Sequence, residues 1–132
     1  METPDIRWKQ RFQNFEKAIL QLESALESPT LSELEKAGVI QYYGFTFELA
    51  WKTAKDYLEY NGLEVKFPRD TIKVGFEYGI IQNGEVWLDM LLKRNLMSHT
   101  YDSSTANVAL ELIRSTYFET LFDFYNQLKS EL

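Results

Sequence analysis

The residues with the clearest capacity for chemistry lie in KRNLMSHTYD, residues 93–102, which contains the only histidine of the chain. A histidine with a pKa of about 6.5 can carry a proton at neutral pH. An arginine can stabilise negative charge that develops on phosphorus. Arg94 lies five residues before His99, Asn95 lies four before it, and Tyr101 follows two residues after it. One chemistry open to this segment is therefore phosphodiester cleavage without a metal.

The spacing of this segment leaves two interpretations open. On an uninterrupted helix, Arg94 and His99 would point about 140° apart, so they meet only if the helix loosens before His99 or a second subunit completes the site. Asn95, one turn before His99, could orient the imidazole or hold the last turn of the helix. Alternatively, Lys93, Arg94 and His99 are cations favoured by a helix C-terminus, and Tyr101 covers the end of the bundle. Spacing alone favours this structural interpretation.

Other classes of site lack the residues that they require. The absence of cysteine excludes disulfides, thiolate zinc sites and cysteine nucleophiles. A single histidine cannot supply a histidine-rich metal site, and Asp89 and Asp102 have no ligand spacing to it, so we expect structural acids, no metal and no cofactor. Neither a P-loop nor a Gly-x-Ser-x-Gly nucleophile elbow is present.

Length and charge narrow the function further. A chain of 132 residues suits one domain, residues 1–132. Its net charge of −6 excludes a basic surface of the kind that binds duplex nucleic acid. Residues 51–100, however, carry seven basic and seven acidic side chains, so a local anion site is possible there. Without a signal-peptide core or an apolar run of membrane length, we expect a cytoplasmic protein that does not bind membranes.

Apolar periodicity predicts an all-α protein. Steps of three and four residues mark the first and last helices, and Ser32 with Glu35 forms a capping box before the second. The predicted helices cover about residues 5–27, 32–60, 69–80 and 85–99, and a last helix follows residues 102–105. The prediction is an up-and-down four-helix bundle, with the short helix after Pro68 as an addition.

The second predicted helix is apolar on more than one face, as expected for a helix in mid-bundle or at a subunit contact. Its main apolar stripe is predicted to contain Leu34, Tyr42, Phe45, Leu49 and Ala50. Several aromatic side chains could pack in the core or present a surface to a partner: Tyr42, Tyr43, Trp51 and Tyr57.

Three stretches of the sequence, together with the amphipathic helices, resemble the nucleotidyltransferase substrate-binding protein family of the HEPN superfamily (higher eukaryote and prokaryote nucleotide-binding). They are residues 45–62, 67–81 and 87–102, and the resemblance covers nearly the full chain. Its strongest parts are Phe-Glu-Leu-Ala-Trp-Lys, residues 47–52, and Arg-Asn-x-x-x-His-x-Tyr, residues 94–101.

This resemblance implies a helical bundle that is usually homodimeric and similar to the helical C-terminal domain of kanamycin nucleotidyltransferase. The implied partner is a minimal nucleotidyltransferase encoded nearby. Many HEPN proteins are metal-independent RNase toxins, and Arg94, Asn95 and His99 match their catalytic motif. Tyr101 matches a tyrosine that the partner modifies by transferring AMP, which inactivates the toxin in this toxin–antitoxin arrangement.

Three functions follow as hypotheses. The first is an RNase toxin that cleaves tRNA or mRNA, with His99 as general acid and base and Arg94 stabilising charge on phosphorus. The second is a non-catalytic subunit that binds the substrate of the partner nucleotidyltransferase. The third is a structural helical dimer without a site.

Overall fold

The computed structural model describes residues 2–97 and 102–132, except for the side chains of residues 95–97. All regular secondary structure in these ranges is helical. The elements are α1 (Pro4–Leu26), α2 (Glu33–Tyr60), α3 (Pro68–Tyr78), α4 (Gly84–Met97), α5 (Ser103–Leu112), a π-helical segment (Ile113–Tyr117) and α6 (Phe118–Lys129). The backbone stays right-handed helical through the π-helical segment, so α5 and α6 form one continuous helix. The predicted all-α four-helix bundle, with α3 as the additional short helix, is confirmed.

The helix starts follow from their capping residues. Thr3 caps α1 by accepting a hydrogen bond from the backbone N–H of Ile6, and Pro4 occupies the first turn, where its missing N–H costs nothing. Ser32 and Glu35 form the predicted capping box of α2, with bonds of 3.1 and 2.8 Å. These bonds satisfy backbone donors that the helix itself leaves unpaired.

The central helix of the bundle is α2, which contacts α1, α3, α4 and α5. This confirms the expectation that a helix with two apolar faces lies in mid-bundle. The prediction that Leu34 and Phe45 belong to its buried stripe is wrong, because they are 84% and 53% exposed. These two residues lie about 20° apart around the helix axis, so they share one exposed face of α2.

The aromatic residues of α2 serve mainly as core. Tyr43, Trp51 and Tyr57 are buried, and Tyr42 is partly buried against the same core. Of the two alternatives, packing in the core is therefore confirmed for Tyr43, Trp51 and Tyr57.

The structure defines the end of α3 and the packing of α4. The short helix α3 was expected over residues 69–80; it is a regular helix that ends where Gly79 adopts a left-handed conformation, with φ of 95°. The side chain of Trp87 is 1% exposed and packs edge-on against Phe124 at 5.0 Å, which fixes α4 against α6. None of the described helices is long and apolar enough to cross a membrane.

One buried charge links α1 to α2. The carboxylate of Asp56 is 3% exposed and accepts a hydrogen bond of 2.9 Å from Nε of Arg11. One helical turn earlier, Arg7 approaches Glu59 at 3.6 Å, but Glu59 is also paired with Lys55 at 2.7 Å. Asp56 therefore relies on Arg11 for its charged partner, whereas Glu59 keeps Lys55 when Arg7 is removed.

Replacing Arg11 with Ala should lower the free energy of unfolding by about 2 kcal/mol, because Asp56 would lose its charged donor while it remains buried. The matched control is Arg7→Ala, which should change stability by about 0.5 kcal/mol or less, because the exposed pair is weak and Lys55 remains. Urea unfolding of both variants measures the difference. Equal small effects would contradict the assigned role of Asp56.

Candidate functional site

The position of Arg94 is set by an ion pair between α4 and α2. Its Nη1 donates a hydrogen bond of 2.6 Å to Oε1 of Glu48, and the other carboxylate oxygen of Glu48 accepts one of 3.0 Å from Nε1 of Trp51. The side chains of Arg94 and Glu48 are 31% and 38% exposed. At that exposure the pair contributes little to stability, but it holds the guanidinium at one place on the surface.

The same ion pair leaves Arg94 able to bind an anion. A guanidinium carries five N–H donors in a planar fork. Within the described part of the chain, the bond to Glu48 uses one of them. The remaining donors suit the oxygens of a phosphate, which arginine binds with two parallel hydrogen bonds.

A groove of about 660 Å³ opens beside Arg94, and we call it the Arg94 groove. Its charged and polar lining consists of Gln41, Glu48, Lys52, Lys66 and Arg94, and Trp51 and Phe67 supply aromatic surface. Three cations and one carboxylate therefore face the groove, although the chain has a net charge of −6. The local charge favours an anionic ligand.

A second polar network holds α4 against the π-helical segment. Asp89 accepts a hydrogen bond from the hydroxyl of Tyr117 and pairs with Lys93 at 3.2 Å. Burial raises the pKa of Tyr117, and the hydrogen bond and the negative charge of Asp89 raise it further, so Tyr117 stays a donor. Asp89 is therefore a structural acid, as the sequence predicts.

Tyr43 of α2 packs against this network, but its hydroxyl takes no part in the hydrogen bonding. Its ring stacks on that of Tyr117 at 5.7 Å, and its hydroxyl is buried without a partner among the described residues. Burial raises its pKa well above the ordinary value, and the nearby Tyr117 and Asp89 add to the shift. The hydroxyl therefore stays neutral.

The tyrosine that donates to Asp89 is the last residue of the π-helical segment. The wider turn inserts one extra residue into the helix, and Tyr117, its last residue, is 1% exposed. Such segments are frequent at functional sites. The periodicity of the sequence does not reveal this element, because its apolar residues still recur at steps of three and four.

The described residues include only part of the predicted site. Arg94 lies at the groove, and the backbone of Asn95 belongs to α4. The side chain of Asn95, and His99 and Tyr101 entirely, lie outside the described residues. Asp102 caps α5 by accepting a 2.7 Å bond from the N–H of Thr105, and this bond lowers its pKa. In the described part of the chain, no group of three or more potential ligands converges on a metal site.

Comparison with known protein families shows the family to which this chain belongs. The sequence model of the family described as "Nucleotidyltransferase substrate binding protein like" matches residues 10–130. The chain belongs to this family.

Individual relatives agree with this family assignment. The chain is 23% identical over 120 residues to a protein of Haemophilus influenzae named "Probable ribonuclease HepT", covering 84% of this chain and 82% of that protein. It is also similar to the crystal structure of a protein from Thermus thermophilus, with a TM-score of 0.79 and 28% identity. That match covers 87% of this chain and 98% of the other. The helical arrangement is thus one that a solved protein shares.

The residues that surround Arg94 were not among those predicted from the sequence. Glu48 was not expected as the partner of Arg94, nor were Lys52, Lys66 and Phe67 expected to line a groove. The signal available was the Phe-Glu-Leu-Ala-Trp-Lys stretch, which resembles the nucleotidyltransferase substrate-binding family and contains Glu48 and Lys52.

The two stacked tyrosines should respond in opposite directions to the loss of a hydroxyl. Tyr43→Phe should raise the free energy of unfolding by about 1 kcal/mol, because it removes a buried polar group without a partner and keeps the ring. Tyr117→Phe should lower it by about 1 kcal/mol, because Asp89 loses one of its two donors and keeps only Lys93. Urea unfolding provides the measurement, and destabilisation by both variants would contradict this description.

Proposed function

We propose that this chain is the helical, metal-independent ribonuclease subunit of a two-component toxin–antitoxin system, with a minimal nucleotidyltransferase as its partner. The observation that carries the proposal is the position of Arg94, held by Glu48 beside a cationic groove, at the start of an Arg-Asn-x-x-x-His-x-Tyr motif. The relative named "Probable ribonuclease HepT" supports the reaction type. We also propose that residues 1–132 form one domain.

The proposed reaction is attack of an RNA 2′-hydroxyl on the adjacent phosphorus. His99 takes the hydroxyl proton as general base and returns a proton to the departing 5′-oxygen as general acid. Arg94 stabilises the charge that develops on the phosphoryl oxygens. Asn95 orients the imidazole. The products are a 2′,3′-cyclic phosphate and a 5′-hydroxyl, so no oxidant, metal or cofactor takes part.

A homodimer is part of this proposal. On a continuous helix, Arg94 and His99 would point about 140° apart, so a motif from a second subunit supplies the missing half of each site. Two apolar side chains offer surface for contacts between subunits: Phe45 of α2 is 53% exposed, and Leu92 of α4 is 72% exposed.

Control of the activity is assigned to Tyr101. Attack of its hydroxyl on the α-phosphorus of ATP bound by the partner, with loss of the phenolic proton and release of pyrophosphate, would add bulk and a negatively charged phosphate two residues from His99. The guanidinium of Arg94 could bind this phosphate. The modification would then block RNA and occupy the cation that the reaction requires.

The family description supports a second function. A subunit that only binds the substrate of a nucleotidyltransferase would need the helical scaffold and the groove but no proton carrier. A stable complex with the partner enzyme, formed equally well by the His99→Ala variant, together with an absence of cleavage, would favour this function.

Purified protein should cleave single-stranded RNA in the presence of EDTA, and His99→Ala should reduce the rate by about 100-fold or more, because the proton carrier is lost. Arg94→Ala should reduce it by about 100-fold, because charge on phosphorus is no longer stabilised. Lys93→Ala is the matched control, since this neighbouring cation is paired with Asp89. An absence of cleavage, or equal cleavage by His99→Ala, would remove the ribonuclease proposal.

Co-expression with the nucleotidyltransferase encoded nearby should add an AMP-sized mass to the chain at Tyr101. Tyr101→Phe should remain unmodified, because it has no phenolic oxygen to accept the nucleotide. Tyr60→Phe removes an exposed tyrosine elsewhere and should leave the modification intact. Intact-mass and peptide mass spectrometry provide the readout. An adduct that persists in Tyr101→Phe would exclude Tyr101 as the acceptor.

A further inference from the structure

The Arg94 groove contains two cations that no acidic side chain neutralises within the described residues. Lys52 and Lys66 line the groove, and no ion pair in that part of the chain joins either of them to a carboxylate. Among the other lysines of the described residues, four have such partners, namely Lys9, Lys36, Lys55 and Lys93, and three have none there, namely Lys17, Lys73 and Lys129. The groove therefore holds two cations that are outside these ion pairs, and their charge is complementary to a phosphodiester strand.

An exposed aromatic ring lies in the same groove. Phe67 is 66% exposed, so its ring contributes little to the core. Its backbone is nevertheless fixed, because the backbone N–H and the hydroxyl of Thr71 both donate bonds of 2.9 Å to the carbonyl of Phe67. Two residues earlier, Val65 is buried and anchors the connection. The ring thus projects from an ordered backbone into solvent.

Trp51 also lines the groove; it is 8% exposed, and its indole N–H is bonded to Glu48. The volume of about 660 Å³ lies within the range of about 300–1,000 Å³ that is usual for small-ligand sites. Proteins that bind single-stranded nucleic acid combine cationic side chains for the backbone with exposed aromatic rings on which bases stack. A duplex does not offer its bases in this way.

We propose that the Arg94 groove is a nucleotide subsite for single-stranded RNA, in which a base stacks on Phe67 and Lys52 and Lys66 neutralise the flanking phosphates. This inference rests on the proposed function, because the RNA strand in the groove is taken to be the same strand whose phosphate Arg94 contacts. It adds residues outside the Arg-Asn-x-x-x-His-x-Tyr motif and assigns them to binding.

The direct test is binding of a fluorescent 2′-O-methyl single-stranded RNA octamer, which cannot be cleaved through its 2′-oxygen, to the full chain. Fluorescence anisotropy should show about tenfold weaker binding for Phe67→Ala, because one stacked base is lost. Lys66→Ala should weaken binding and reduce the slope of log K against log salt concentration by about 0.7, the value for one phosphate contact on a single strand.

Matched controls lie on α3 outside the groove. Phe76 is 55% exposed and Lys73 is also exposed, and neither residue lines the Arg94 groove. Phe76→Ala and Lys73→Ala should bind the octamer as the unchanged protein does. Because all four side chains are exposed, the variants should keep the fold, which circular dichroism checks.

The outcomes separate this inference from the ribonuclease proposal. Groove-dependent binding by a protein that does not cleave RNA would support the subsite and remove the ribonuclease. Cleavage that depends on His99 with equal octamer binding by groove and control variants would overturn the subsite and leave the ribonuclease. Failure of the unchanged protein to bind the octamer would also overturn it. The subsite would likewise be overturned if the Phe67 and Lys66 variants bound the octamer normally but no longer bound the nucleotidyltransferase, since the groove would then be a protein interface.

Discussion

The ion pair between Glu48 and Arg94 connects the central helix of the bundle to α4, in which the candidate motif begins. It is effective because α2 is itself fixed by four other helices, so Glu48 is presented from a rigid element. The indole of Trp51 holds the second oxygen of the same carboxylate. An exposed pair of this kind adds little stability, and its consequence is geometric. It directs a guanidinium toward the groove in which the proposed chemistry takes place.

The opposite side of α4 is held by a different kind of contact. Asp89 joins α4 to the π-helical segment through Tyr117, and Tyr43 stacks on that tyrosine from α2. The hydroxyl of Tyr43 is buried without a partner among the described residues, and this lowers the stability of the fold. The helix that contains Arg94 is thus fixed at two points, one electrostatic and partly exposed, and the other aromatic and buried.

Much of the scaffold could be predicted from the sequence because local signals determine it. Pro4 and the Ser32 capping box place helix starts within a residue of those observed, and periodicity identifies the buried faces of the first and last helices. The exposure of Phe45 could not be predicted, because which face of an apolar helix meets solvent depends on where the other helices pack. The pair between Glu48 and Arg94 joins residues 46 positions apart, and no local pattern encodes such a contact.

The proposed mechanism depends on Arg94 and His99 acting together on an RNA phosphate through the 2′-hydroxyl. The most direct measurement is the chemistry of the ends that the protein produces from single-stranded RNA in EDTA. The mechanism predicts 2′,3′-cyclic phosphates and 5′-hydroxyls, with no cut where the nucleotide before the scissile bond is 2′-deoxy. Ends that carry 5′-phosphates and 3′-hydroxyls, or cutting at the 2′-deoxy position, would contradict it.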